Sequence, residues 1–414
     1  MKKEYRIKKD TLPKYEGGKS TVMDAADGID LLLIEDTTKS EYENFCTALK
    51  NDGYEVYVTR ILNGNIYITF TKGDTFVHTH FAPSNNTVKV TMGDVADLPT
   101  RKQDAVINKV CEPKLTFVAQ KADKPEHVPH TDIGLSIIFT LSDGRLVVLD
   151  GGMPNEKNHL GLLEAMRNAS PDKDNVVIAG WYLSHAHIDH HGAAWQFIEQ
   201  HLDKVKIEAF VLNYAADTHY ENLTEDSWKK ADDAQLIRNA FTKLSPDTKI
   251  IKAHSGQVYY YGEEAVEIVY SVEDYYPEQL NYNNSSSLVL RLHAKGNTVM
   301  LLADTTHTSG ARMMELHGDA LKSDMVQIAH HGMWASYSKL YKHINAPVLL
   351  WPTNITNARK WFDDSVVQTA LGLAEDVYLS GNTKNAVLEF PYTIKHNKAK
   401  FLKEISYSSD PEAN

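Results

Sequence analysis

An apolar stretch, Val176 to Leu183, runs directly into Ser184-His185-Ala186-His187-Ile188-Asp189-His190-His191-Gly192, so a buried strand has to end on imidazoles and a carboxylate. Few folds accommodate that. Imidazole nitrogen and carboxylate oxygen are the donors that zinc-like ions take, and two ions held close together need two ligand groups offset along the chain. His185 and His187 fall on one side of an extended segment, while Asp189 and His190 follow where the chain must turn before a helix. The first pair can serve one metal and the second pair another. Single histidines are usually solvated or satisfied core residues, but four within seven positions beside an aspartate point to a two-metal hydrolytic site.

The rest of the composition narrows the setting. A chain of 414 residues with 42% apolar and 24% charged residues reads as an ordinary globular protein with room for a large domain and a smaller one. A formal charge of -12 argues against a broad duplex nucleic-acid surface, which needs clustered Lys and Arg, although a metal pair can still attract one phosphate. Cys46 and Cys111 alone support neither a disulfide framework nor a cysteine zinc site. The charged start Met1-Lys2-Lys3-Glu4 leads into no apolar core, and nowhere do about eighteen apolar residues run together. The expectation is a cytoplasmic protein that crosses no membrane and acts on a small-molecule or phosphoester substrate.

Residues 1–112 are expected to form a small α+β module: a strand over Leu31 to Ile34, a helix over Lys39 to Asn51, a strand from Tyr54, and a hairpin of Asn65 to Lys72 with Thr75 to Phe81. His78 and His80 lie two apart in that hairpin, and a solvated or interface strand face suits them better than a metal, since no carboxylate is close in sequence. The second domain is placed at 113–402 with a tail over 403–414, and 121–131, with His127 and His130, is read as an exposed loop inside it. Strands and helices alternate, then a strand-rich block follows, then alternation resumes. Two sheets packed face to face with helices outside each, an αββα arrangement, is the order this favours, with the metal groups at strand ends. The helix after the histidine run is expected from Gly192, and a helical region over Thr224 to Leu244.

Two later strands end in the same kind of residue. Val299 to Ala303 finishes on Asp304, and a buried carboxylate there is costly unless a cation meets it, which makes Asp304 the expected bridging ligand and a helix N-cap its bland alternative. Met325 to Ala329 finishes on His330-His331-Gly332. Adjacent residues of an extended chain point to opposite faces, so His330 is expected to ligate while His331 supports it or donates a proton to the leaving group.

Together these motifs resemble the metallo-β-lactamase-fold hydrolases: Asp150-Gly151-Gly152, His185-x-His187-x-Asp189-His190, Asp304 and His330-His331-Gly332. Asn283-Asn284-Ser285-Ser286-Ser287 ahead of the Asp304 strand makes the pattern similar to the hydrolase domain of ComEC-type DNA-uptake proteins. The resemblance implies His185 and His187 on a first ion, Asp189, His190 and His330 on a second, Asp304 between them, and Asp150 as a buried organiser. It implies two divalent cations, zinc or else manganese, activating a bridging hydroxide that Asp189 orients. Many relatives supply a third histidine to the first ion where this chain has Asn283 and Asn284. That departure leaves three readings: a weaker first site, manganese in it, or a third ligand from His254, His219 or His331. The function implied is phosphoester hydrolysis, most readily of a phosphodiester. The alternatives are a lactone, thioester or β-lactam hydrolase, and a non-catalytic metal-binding or sensing module.

Overall fold

The computed structural model describes residues 3–8, 10–121, 133–220, 232–280, 282–334, 336–381 and 384–406. The loop at 122–131 with His127 and His130, and much of the helix expected over Thr224 to Leu244, lie outside them. The N-terminal part consists of β1 (Lys19–Asp24), β2 (Asp30–Glu35), α1 (Lys39–Asn51), β3 (Glu55–Leu62), β4 (Asn65–Lys72), β5 (Thr75–Ala82) and β6 (Thr87–Asp94). Its strands form one antiparallel sheet in the order β1-β2-β6-β5-β4-β3. Helix α1 starts at a capping box of Thr38 and Glu41 and lays Tyr42, Phe45 and Leu49 on the sheet face made by Phe70, Val77, Phe81, Val88 and Val90. Strands β1 and β6 add to the sequence expectation. The Val88, Val90, Met92 alternation is the signal for β6, whereas β1 is nearly all exposed and is held by pairing with β2 rather than by burial.

The second part begins with β7 (Lys114–Phe117), β8 (Ser136–Thr140), β9 (Leu146–Asp150), α2 (Glu156–Ala169), β10 (Val177–Leu183), α3 (Ile188–His201), β11 (Lys206–Ile207), β12 (Ala209–Leu212), α4 (Asp232–Ala240) and β13 (Lys249–Lys252). It continues with β14 (Val258–Tyr261), β15 (Glu264–Tyr270), β16 (Val289–Ala294), β17 (Asn297–Leu301), α5 (His307–His317), β18 (Met325–Gln327), α6 (Ser338–Ile344) and β19 (Val348–Trp351). Helices α7 (Ile355–Lys360) and α8 (Ser365–Leu373), strands β20 (Asp376–Leu379) and β21 (Ala386–Glu389), and helix α9 (Lys398–Ser406) complete it. Helix α9 runs past 403, where the sequence reading starts a tail, because Phe401 and Ile405 pack into the core.

Two mixed sheets face each other, one ordered β13-β12-β10-β9-β8-β7-β21 with β11 beside β10, the other β14-β15-β16-β17-β18-β19-β20. Between them lies an apolar layer that includes Phe117, Ile137, Leu149, Val266, Leu290, Leu301 and Leu350. Helices α2, α3 and α4 cover the outer face of the first sheet through Leu162, Met166, Phe197 and Ile237, and α5, α6, α8 and α9 cover the second through Met313, Leu340, Val367 and Phe401. This is the expected αββα sandwich. Strands β9, β10, β17 and β18 deliver their C-terminal ends to one edge of it, as α/β layers generally do with their sites. Among the described residues, no helix is long and apolar enough to cross a membrane.

The N-terminal sheet has a second face, and the sandwich covers it. Even-numbered residues of β5 and odd-numbered residues of β6 point away from α1. Here Asn65 donates to the Leu316 carbonyl at 2.6 Å, His78 Nε2 lies 3.0 Å from the Ser255 carbonyl, and Lys89 Nζ lies 2.9 Å from Asp274 Oδ1. The interface reading of His78 and His80 therefore matches their surroundings, with side chains buried against the larger part.

Candidate metal centre

Strand β10 ends at Leu183, the chain turns through Ser184 to His187, and α3 begins at Ile188 rather than at Gly192. Asp189, His190 and His191 thus occupy the first helical turn, where a negative side chain also suits the helix dipole. The Asp150-Gly151-Gly152 turn after β9 clamps that helix start: Gly151 N donates to the His190 carbonyl at 2.6 Å, and a Cβ on Gly151 would stand 2.6 Å from Ala194 N. Only glycine lets the two segments approach so closely.

Asp150, fully buried, works as the organiser. It accepts from Ser184 N at 2.8 Å, from Ser184 Oγ at 2.7 Å and from His190 Nδ1 at 2.7 Å. With its Nδ1 proton committed there, His190 turns Nε2 inward, 3.0 Å from Asp304 Oδ1. His331 is fixed by the same logic. Its Nδ1 donates to the Pro352 carbonyl at 2.8 Å, and its Nε2 lies 3.1 Å from Asp189 Oδ2 and 3.7 Å from Asp304 Oδ1. A hydrogen bond on the outer nitrogen that leaves the inner lone pair free is how ligating histidines are usually oriented.

Asp304 lies between the imidazoles of His185 and His190. Its Oδ2 is 3.8 Å from His185 Nε2, and His185 Nε2 is 3.0 Å from His187 Nδ1. The N-cap alternative falls away, since α5 is capped by Thr306, whose hydroxyl accepts from Ser309 N. Two groups of ligand-type atoms result, Asp189, His190, Asp304 and His331 in one, His185, His187 and Asp304 in the other, each with all its atoms within 4.8 Å. They share only Asp304.

The His330 expectation is corrected by this geometry. His330 Nε2 is 3.9 Å from Asp304 Oδ2, its side chain is 25% exposed, and it belongs to neither group. The expectation assumed an extended backbone, but His330 and His331 have φ of 48° and 55°. Two left-handed residues in succession rotate His331 inward and swing His330 to the rim. Gly332 continues the bend at φ 80°, where a Cβ would meet Trp351 Nε1 at 2.4 Å. Asp150 and Ala303 share positive φ, so backbone strain gathers around this site.

The other candidates fall into place around it. Asn283 and Asn284 are buried in the turn before β16; Asn283 Oδ1 accepts from Tyr220 Oη at 2.9 Å, and Ser287 Oγ of the same segment accepts from Asp304 N at 3.3 Å. His191 contacts Tyr214 Oη at 3.1 Å instead of the centre. His254 and His219, offered as replacement ligands, lie elsewhere: His254 pairs with Glu273 at the domain interface, and His219 Nε2 donates to the Asp24 carbonyl at 2.6 Å.

Electrostatics show what the cluster lacks. Among the described residues the ion pairs of Asp150, Asp189 and Asp304 are all to histidine, with no Lys or Arg. Burial works against both the Asp304 and Asp189 carboxylates, yet the imidazoles of His190 and His331 hold them well below the ordinary range. Burial likewise opposes a proton on His190, but Asp304 and Asp150 raise its pKa well above the usual value. His185, fully buried and beside His190 and His187, is pushed well down and stays a neutral donor. His190 Nε2 and Asp304 Oδ1 are buried without a hydrogen bond even though they face each other. Inward-facing imidazole nitrogens, crowded carboxylates and, among the described residues, no Lys or Arg paired with them fit a divalent metal pair.

Comparison with known proteins agrees with the fold. Residues 131–256 match the family model of the Metallo-beta-lactamase superfamily. A search of curated proteins finds no match. Among solved structures, the metallo-β-lactamase fold protein YhfI from Bacillus subtilis aligns with 14% identity over 67% of this chain and 100% of its own, at a TM-score of 0.38. A diphosphatase of the PhnP family aligns with 11% identity over 68% of this chain and 100% of its own, at 0.37. Zn(2+)-bound PqqB from Methylobacterium extorquens aligns with 11% identity over 66% and 99%, at 0.38. These likenesses are distant, and no activity is inferred from them.

Proposed function

We propose that this chain, with its metallo-β-lactamase fold, is a two-metal hydrolase of phosphodiesters. The observation that carries the reading is the sharing of one buried carboxylate, Asp304, by two otherwise separate donor groups, its ion pairs among the described residues being to histidine alone. His185, His187 and Asp304 would hold one ion, and Asp189, His190, Asp304 and His331 the other. When bound, such a pair supplies positive charge for a substrate oxygen and acidifies water at neutral pH.

The chain's own residues do the arranging. Asp150 keeps His190 in the tautomer whose Nε2 faces inward, and the Pro352 carbonyl does the same for His331. Asp189 accepts at the centre with an oxygen 3.1 Å from His331 Nε2, which places it to orient an attacking water. His330, partly exposed and 3.9 Å from Asp304, takes the place of His331 as the group able to pass a proton to a departing alkoxide. The phosphodiester is favoured over a carbonyl substrate because the centre offers cation-binding donors, and a negatively charged phosphorus centre suits metal charge. The Asn283 to Ser287 segment beside Asp304 is consistent with the ComEC-type resemblance.

Metal analysis and turnover test this together. About two ions per chain after reconstitution, with faster hydrolysis of bis(p-nitrophenyl) phosphate than of p-nitrophenyl phosphate or a γ-lactone, is the expected result. Faster lactone turnover would reverse the substrate order, and an inert protein holding less than a full pair would support the sensing alternative.

A further inference from the structure

Beyond the metal donors, the His330 bend presents an aromatic surface at the rim of the centre. Trp334 is 71% exposed, at a φ of 45°, a conformation that bulky residues rarely adopt. It does not hang from a slack loop. Met333 before it is buried and donates its N–H to the His330 carbonyl at 2.8 Å, and Ser336 after it is buried and donates to the Thr306 carbonyl at 3.0 Å. The indole is thus mounted on a pedestal anchored on both sides. Its ring centroid lies 6.2 Å from that of His330, and the half-buried Trp361 stands 5.1 Å away at 67°. His330 links this shelf to Asp304, 3.9 Å from it.

We infer that Trp334, backed by Trp361, is a stacking platform for a planar, uncharged aromatic group of the substrate, a nucleobase being the class that joins such a ring to a phosphodiester. This rests on the phosphodiester reading given above. Three observations favour it. A tryptophan left open to water at a strained position is retained for something other than packing. Its neighbour His330 reaches the centre, so a phosphate at Asp304 and a ring on Trp334 fall within the span of one nucleotide. A positive charge already stands beside the shelf, since Lys360 Nζ sits 5.4 Å over the ring of Trp361 that backs the indole. That ammonium disfavours a quaternary ammonium ligand and leaves stacking of a neutral ring as the recognition mode.

Binding of adenosine 5′-monophosphate and ribose 5-phosphate to the metal-loaded protein, by calorimetry and by quenching of tryptophan fluorescence, tests the shelf separately from turnover. The two ligands share the phosphate and sugar and differ in the base. The expected affinity ratio in favour of the nucleotide is roughly tenfold, the scale of one base stacked on an aromatic ring. Trp334→Ala should bring that ratio near one, and Trp334→Phe should keep most of it. Equal binding of the two ligands, no detectable nucleotide binding, an unchanged ratio in Trp334→Ala, or preferential binding of phosphocholine would each overturn the inference. A diesterase that ignores the base refutes the shelf alone, whereas a base-selective protein without diester turnover refutes the phosphodiester reading alone.

Discussion

The chain carries His-x-His twice, in strand β5 at His78 and His80 and in the turn after β10 at His185 and His187, and both pairs end up beside carboxylates. At the domain interface His78, Asp274 and Glu267 find their partners within the chain. His78 Nε2 donates to the Ser255 carbonyl at 3.0 Å while Nδ1, 2.9 Å from Thr69 Oγ1, accepts its hydroxyl. Asp274 has the Lys89 ammonium at 2.9 Å and the Ser255 hydroxyl, and Glu267 is held by Arg60, Arg291 and His293. At the strand ends, His190 and His331 turn their inner nitrogens toward carboxylates, and among the described residues the ion pairs of Asp304 are all to histidine. The interface meets its acids with Lys and Arg, whereas the strand ends gather acids among imidazoles, the donor set that would suit a metal ion. Identity and spacing do not separate the two; the resident cation does.

The sharpest way to break this contrast is to exchange the neighbouring histidines of the bend. His331→Ala should lose an ion and lower turnover on the order of 10³-fold, while His330→Ala keeps both ions. Metal stoichiometry decides it, and loss of an ion from His330→Ala instead would restore the extended-backbone assignment. Removing the interface cation comes next. Lys89→Ala leaves Asp274 buried without its ammonium and should destabilise the folded chain by about 3 kcal/mol, read from denaturant midpoints, while metal binding stays intact. A neutral outcome would mean that Asp274 is already satisfied by His80 and Ser255.

The smallest effect is a pH slope. Burial, with His254 close by, lowers the His78 pKa from 6.5 to about 3, in a setting that also includes His80 and Glu273. Between those values the unfolded chain binds the proton first. The His78 contribution is therefore complete above the unfolded pKa and declines as pH falls, by about 1.4 kcal/mol per pH unit. His78→Gln should flatten the dependence of the urea midpoint between pH 6.5 and 5; an unaltered slope would show that His78 accepts a proton in the folded state.

Much of the sandwich was legible because its strands are apolar runs with metal-type residues at their ends; His185, His187, Asp189, His190 and Asp304 follow the ends of two strands, β10 and β17, and lie together. His330 and His331 were not separable, since the alternation rule holds only for extended backbone and nothing in His-His-Gly announces two left-handed residues before the glycine. The start of α3 was read late for a related reason: donor residues look like loop, and here the first helical turn holds them. The N-terminal sheet was underread because a polar strand face normally means solvent. Lys89, Thr91 and His80 follow that pattern, and only the docked sandwich reveals them as an internal surface.

That internal surface bears on how the chain can be divided. Cutting near Pro113 would strip Asp274 and Glu267 of Lys89 and Arg60, and would remove the Asp24 carbonyl that steadies His219, next to the tyrosine holding Asn283. The part that carries the histidine cluster is therefore no interchangeable cassette: natural shuffling or laboratory trimming at this seam inherits a charged scar, and the two pieces have to travel together.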